Sequence, residues 1–266
     1  VRIKIFHEVA YAFEPPARSV TQAMRIMPRD CESQVVVSWR IEPSVDGRLR
    51  SQEDAFGNLV HHFQADGPFD HLQLRVEGVV ETTDVTGFVR GAAEPMPDRI
   101  FLRDTALTRA DEAMALFARK IGRSSQAPLE QLHALMDALH AEMRLEDGVF
   151  GDEKAAAAFA RRKGSAADVA HVFCGCAREL GVPARFVAGY AAIDGALGQR
   201  HAWAEASVPG YGWIGFDPAH NQCPTDRHVR VAVGLDHDDA APFRTARTGG
   251  GADRAQHKVA VAAIDQ

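Results

Sequence analysis

Apolar and polar residues alternate along the first ninety positions. In VRIKIF, Val1, Ile3 and Ile5 fall on one side of an extended chain; Val35, Val37, Trp39 and Ile41 repeat the two-residue period, as do Leu72, Leu74 and Val76. Gly57-Asn58 in DAFGNLVHHF predicts a turn into a further strand. Stretches containing Pro and Gly separate these runs, so residues 1–95 are expected to form a β-rich N-terminal domain on an antiparallel sheet. His61 and His62 are adjacent, and a strand sends them to opposite faces, which argues against a shared metal.

The period changes after GAAEPMPDRIFLRDTAL at 91–107, where the junction to a core at 96–266 is expected. Thr108 with Asp111 is a weak capping-box signal for a helix carrying Ala110, Met114, Phe117 and Ile121 and ending at Gly122. Pro128 opens a second helix with Leu129, Leu132, Met136, Leu139 and Met143 inward and His133 and His140 on its flanks. The alanine-rich DEKAAAAFARRKG predicts a third. Gly164 and Ser165 open a fourth, with Val169, Val172 and Phe173 on its apolar side. Strand patterns follow from Val182: ARFVAGYAAI, HAWAEASV, GWIGFDPA, HVRVAVG and HKVAVAAI. The fold class is α+β. Gly249 to Gly251 lack the strand and helix of a phosphate-binding loop and are expected to form a turn.

Composition narrows the function classes. The 266 residues are 46% hydrophobic and 25% charged, enough for a full core without long disordered tracts. The net charge of -6, without a basic run, argues against nucleic acid or an anionic membrane as partner. Cys31, Cys174, Cys176 and Cys223 are too few for a disulfide framework and fit a reducing compartment, so a cytoplasmic location is expected. Cys174 and Cys176, two residues apart on a helix, form neither a redox pair nor a zinc knuckle and are read as packed thiols. No apolar run reaches the ~20 residues of a membrane helix, and the alternating start does not read as a signal peptide.

Three stretches carry candidate chemistry: GSAADVAH at 164–171, HAWAE at 201–205 and GWIGFDPA at 212–219. A thiol just inside a helix N-terminus has a lowered pKa, but the chain places Ala166 there. His201 and Asp217 end up on one face if their strands are neighbours, and a carboxylate on one ring nitrogen leaves the other free to accept a proton. On the residues alone, an ordinary strand histidine and a turn aspartate before Pro218 are the favoured reading.

The ordered motifs GSAADVAHVFCGCARELGVPARFVAGY, HAWAEASVPGYGWIGFDPAHN and HVRVAVGLDHDDAAPFRTARTGGG resemble the bacterial transglutaminase-like family of cysteine peptidases. IFHEVAYAF, IMPRD and DAFGNLVHHF resemble the β-rich domain that precedes its core. The resemblance covers almost the whole chain. It implies a papain-like core of helices packed on an antiparallel sheet, a peptide or protein substrate, and no cofactor or metal. It places His201 on the catalytic histidine, Asp217 on its aspartate and Ala166 on the nucleophilic cysteine, with Asp168, His171 and Trp203 as cleft or supporting residues.

Ser165 lies about 100° around the helix from position 166, and Cys174 and Cys176 stand ~12–15 Å along it, so none replaces the thiol. Retention of His201 and Asp217 favours an introduced Cys→Ala change over a lineage that abandoned catalysis. The implied activity is hydrolysis of peptide or isopeptide amides. The alternatives are acyl transfer to an amine, which cross-links proteins, and a disarmed peptide-binding scaffold. AIDGALGQR, just before His201, is the expected seat of selectivity, and Arg200 a candidate contact for a substrate carboxylate.

Overall fold

The alternation at the N-terminus produces strands that bury every second side chain: Ile3, Ile5 and Val9 are fully buried on β1 (Arg2–Met24), and Leu72, Leu74 and Val76 on β4 (Leu59–Thr82). The computed structural model describes residues 1–123, 125–147, 151–193, 199–249 and 253–264. β1 and β4 pair antiparallel along most of their length, and β2 (Gln34–Pro43) and β3 (Arg48–Glu53) share the far edge of β4. Turn residue Gly57 has φ +82°, the left-handed region that glycine enters without steric cost, and β4 starts two residues later.

On β2 the expected face is broken. Val35 and Val37 are exposed, because a bulge between Val36 and Ser38 exchanges the two faces; only beyond it do Trp39 and Ile41 pack on the sheet.

Residues 88–89, 243–249 and 253–264 cross the expected division at 95/96. β5 (Phe88–Val89) joins the second sheet, whose other strands are β8 (Ala184–Ala191), β9 (Gln199–Val208), β10 (Gly212–Phe216) and β11 (His228–Gly234), in antiparallel order β11-β8-β9-β10-β5. In the opposite sense, β12 (Phe243–Gly249) and β13 (Asp253–Ile264) both return to the first sheet and run antiparallel along one edge of β1. Of the turn expected at 249–251, only Gly249, the last residue of β12, lies among the described residues. Gly250 and Gly251 lie outside the described residues.

The helices are α1 (Glu112–Gly122), α2 (Pro128–Glu142), α3 (Ala155–Arg161), α4 (Ala166–Glu179) and α5 (His237–Ala240), with a short parallel pair of β6 (Arg144–Leu145) and β7 (Lys163–Gly164) before α4. α1 begins later than Thr108 and Asp111 suggested. Asp111 is itself the N-cap, accepting from the Met114 amide at 2.9 Å, while Thr108 hydrogen-bonds Thr105.

α4 is buried from Ala167 to Arg178, and its small residues allow that burial. A Cβ on Gly175 would stand 2.3 Å from the Thr108 carbonyl oxygen. Phe173, Phe186 and Phe216 gather around α4 in a core that also takes Ile3, Ile5 and Val80 from the first sheet, so one apolar interior joins both sheets. Each such ring removed from water contributes about 1.5–3 kcal/mol.

Polar side chains finish the junction. Arg178, near the C-terminus of α4, donates to the carbonyls of Phe101, Ala184 and Leu235 and to Thr108 Oγ1. The exposed edge of β11 is covered by two buried amides: Gln34 pairs with the N–H and C=O of Arg230, and Asn58 with those of Val233, each at 2.7–2.8 Å.

Candidate active site

The head of α4 is held by a reciprocal cap. Asp168 Oδ2 accepts from the Ser165 N–H at 2.8 Å and the Ser165 hydroxyl at 2.7 Å, while Ser165 Oγ accepts from the Asp168 N–H. Asp168 thus fixes the helix start; its burial raises the carboxyl pKa against the lowering effect of these bonds. Ala166 is the first residue of the helix and is partly exposed. α4 packs on β9, the strand that carries His201.

His201 and Asp217 meet. β9 and β10 are paired neighbours, Asp217 directly follows β10, and Asp217 Oδ2 lies 2.8 Å from His201 Nε2, with both side chains buried. Nδ1 is therefore the ring atom left for proton transfer to a group on the cleft side. Trp203, two residues along β9, is a buried wall residue whose ring lies 6.0 Å from that of His201 at 27°. It fits because residue 189, opposite His201, is glycine; a Cβ there would come within 2.8 Å of the indole.

Asp217 serves three imidazoles. A tight turn, with Asn221 at φ +52°, brings the chain back so that His220 Nδ1 lies 2.9 Å from Oδ2, and His228 Nε2 at the start of β11 lies 3.3 Å from the same atom. Oδ1 accepts from the Ala219 N–H, and His140 on α2 donates to the Ala219 carbonyl at 3.1 Å, pinning the turn. The Thr225 N–H donates to His228 Nδ1, so His228 carries its proton on Nε2 and donates it to Asp217. Burial alone would raise the Asp217 carboxyl, but the opposing imidazoles, His201 foremost, hold it well below the usual range. The bond to Asp217 raises His220 against its own partial burial. Neither His220 nor His228 was singled out from the sequence. The available signal was that one follows Asp217 by three residues and the other opens an already recognised strand.

Comparison with known proteins bears on the family and the fold. Residues 115–218 match the model of the transglutaminase-like superfamily core, and residues 3–81 that of the bacterial transglutaminase-like N-terminal region. The chain carries a transglutaminase-like core behind a bacterial transglutaminase-like N-terminal region. It is 27% identical over 267 residues to an uncharacterized protein of Mycobacterium leprae, spanning 94% of this chain and 95% of the relative. An uncharacterized protein of Mycobacterium bovis is 24% identical over 272 residues, spanning 91% and 86%. The structure of a "putative cysteine protease" from Cytophaga hutchinsonii superposes with a TM-score of 0.80 over 100% of this chain and 91% of the other, at 20% identity, a likeness of fold.

The other residues read from the sequence brace the transglutaminase-like core. His171 is fully buried and kept neutral by desolvation, its pKa lowered to about 3; its Nε2 accepts from the His237 N–H and ties α4 to α5. Cys174 and Cys176 are buried, and burial pushes the Cys174 thiol up to about 12 and Cys176 higher still, so neither is a nucleophile. All four cysteines are free thiols. Arg200 lies in the electrostatic environment of His7, Tyr190 and His257, between the two sheets. Most of AIDGALGQR, at 194–198, lies outside the described residues.

Glu205, the acidic residue of HAWAE, was also missed. It accepts from Arg185 Nε at 2.6 Å and Arg230 Nε at 2.7 Å; Arg185 lies 3.8 Å over the Trp213 ring and also pairs with Glu94. This buried cluster locks β8, β9 and β11 together behind the His201 strand. No helix among the described residues is long and apolar enough to cross a membrane.

Proposed function

We propose that the cleft at the head of α4 receives a peptide or isopeptide carbonyl of a protein substrate, at a site organised for acyl chemistry by a cysteine, His201 and Asp217. In the chain as it stands, with Ala166 at the nucleophile position, the substrate is held and not cleaved. The observation that carries this reading is the buried 2.8 Å contact between His201 Nε2, on the β9 strand packed against α4, and Asp217 Oδ2 just after β10. With sulfur at position 166, His201 Nδ1 takes the thiol proton and the thiolate attacks the carbonyl. Amide N–H groups of the first helical turn stabilise the oxyanion, His201 returns the proton to the leaving amine, and water releases the acid.

The test is Ala166→Cys. The introduced thiol is expected to react with iodoacetamide at pH 7 faster than free cysteine and to support hydrolysis of peptide amides, both lost on adding His201→Gln. A thiol that labels no faster than free cysteine, without amide hydrolysis, overturns the reading. An added primary amine separates the outcomes: free acid marks hydrolysis, and an amine adduct marks cross-linking.

One observation favours a natural binding protein over an introduced Cys→Ala change. Asp217 accepts from three imidazoles on three segments, so the pair His201 and Asp217 has a reason to persist without catalysis. The codon for residue 166 in the source gene decides: alanine supports the binding protein, cysteine the altered enzyme. The four unpaired thiols favour the cytoplasm as its place of action.

A further inference from the structure

We infer that His201, Asp217 and His220 form a binding site for one divalent transition-metal ion of the zinc class. One donor atom from each of these three residues lies within 4.8 Å of the others, and Asp217 Oδ2 is 2.8 Å from His201 Nε2 and 2.9 Å from His220 Nδ1. Donors bound at about 2.0–2.2 Å around a single ion stand roughly 3 Å apart, so the carboxylate-to-imidazole spacings already match neighbouring ligand positions. Two imidazoles and one carboxylate suit zinc, cobalt or nickel, and are a poor set for calcium or magnesium, which take oxygen.

The surroundings support a ligand set. His228 is excluded as a ligand through Nε2, because the Thr225 N–H occupies its Nδ1 and leaves the proton on Nε2. It acts instead as an outer partner that steadies Oδ2, as carboxylate ligands require. The Ala219 N–H, 3.2 Å from Oδ1, fixes the other carboxylate oxygen. Asp217 is fully buried, whereas the His220 side chain is one-third exposed, which gives an ion a path in from solvent. Three protein donors leave further positions for water or a substrate oxygen. The inference does not depend on acyl chemistry at position 166: an ion on His201 Nε2 and His220 Nδ1 shifts their protons to His201 Nδ1 and His220 Nε2, and with Nδ1 protonated His201 no longer takes a thiol proton, so ion binding and acyl chemistry exclude one another at this site.

The test uses the full chain without a histidine tag, stripped by chelator and titrated with Zn2+ by calorimetry and with Co2+ by visible absorption. One equivalent per chain is expected, with a Co2+ spectrum of nitrogen and oxygen donors and no thiolate charge-transfer band. His220→Gln and Asp217→Asn are expected to weaken binding by more than ~100-fold, and His228→Gln by ~10–100-fold. His71→Gln, on an exposed side chain of the first sheet, should change nothing. Absence of binding at millimolar Zn2+, or binding unchanged in His220→Gln, overturns the inference, as does a thiolate band in the wild-type Co2+ spectrum. That spectrum decides the matter if a variant does not fold. No readout uses amide hydrolysis, so this failure and failure of the Ala166→Cys test are separable.

Discussion

Replacing Glu205 by Gln removes one charge from the centre of the second sheet while keeping the shape of the side chain. The carboxylate is 1% exposed and held by two guanidiniums at 2.6 and 2.7 Å. Burial alone would raise its pKa, but Arg230 and Arg185 reverse that effect and bring it from 4.5 down to about 2. At 1.36 kcal/mol per unit, this corresponds to about 3 kcal/mol of native-state stabilisation. The cost of breaking a buried pair from one side is similar, about 3–5 kcal/mol. Expressed as a melting temperature, the loss is roughly 6–12 °C for a chain of this size.

The pH dependence is the sharper part of the test. A carboxyl whose folded pKa is depressed contributes fully above its unfolded value, near 4.5, and loses that contribution as pH falls toward about 2. The amide of the Glu205→Gln variant does not titrate, so the stability gap between wild type and variant should be full at pH 7 and close progressively below pH 5. Urea unfolding followed by tryptophan fluorescence at pH 7, 5 and 3.5 measures it. A gap under ~0.5 kcal/mol at pH 7, or one of constant size across this range, refutes the reasoning, because an ordinary surface substitution does no more.

Other substitutions and conditions test the remaining elements. Ser165→Ala removes the cap hydroxyl from α4 and should cost about 1 kcal/mol in urea unfolding, with Ser165→Gly milder. Alkylation of the native protein at pH 7 should modify only Cys31 and Cys223, with Cys174 and Cys176 reacting after denaturation; mass mapping that finds Cys174 labelled in the native state contradicts its burial. Burial lowers His7 from 6.5 to about 3, so below pH 6.5 the unfolded chain takes up a proton that the folded chain refuses, and stability falls with pH over that window. Between pH 7 and 5 the wild type should therefore lose about 2 kcal/mol more than His7→Asn, measured by thermal melts.

Local pattern and motif order carried much of this protein. The two-residue period of Leu72, Leu74 and Val76 survives folding because a half-buried strand must alternate, and the fourth helix begins where Gly164 and Ser165 placed it because capping is satisfied within four residues. His201 and Asp217 were legible as a pair because their strands are consecutive neighbours, so that contact is almost local. The same locality explains the misses. Val35 and Val37 look apolar and inward, but a single extra residue in the ladder turns them out, and a bulge has no signature in alternation.

Contacts between distant segments were settled only in three dimensions. That β12 and β13 return to β1, that Gln34 and Asn58 seal the edge of β11, and that Arg178 gathers carbonyls from three segments follow from which unpaired backbone groups come to face one another once both sheets share a core. His220 and His228 join Asp217 for the same reason. The amino-acid sequence determined which residue types and local elements were present, since those depend on neighbours along the chain. The tertiary structure alone decided which of twelve histidines converge on one carboxylate, because that depends on the path of a turn and the register of a strand.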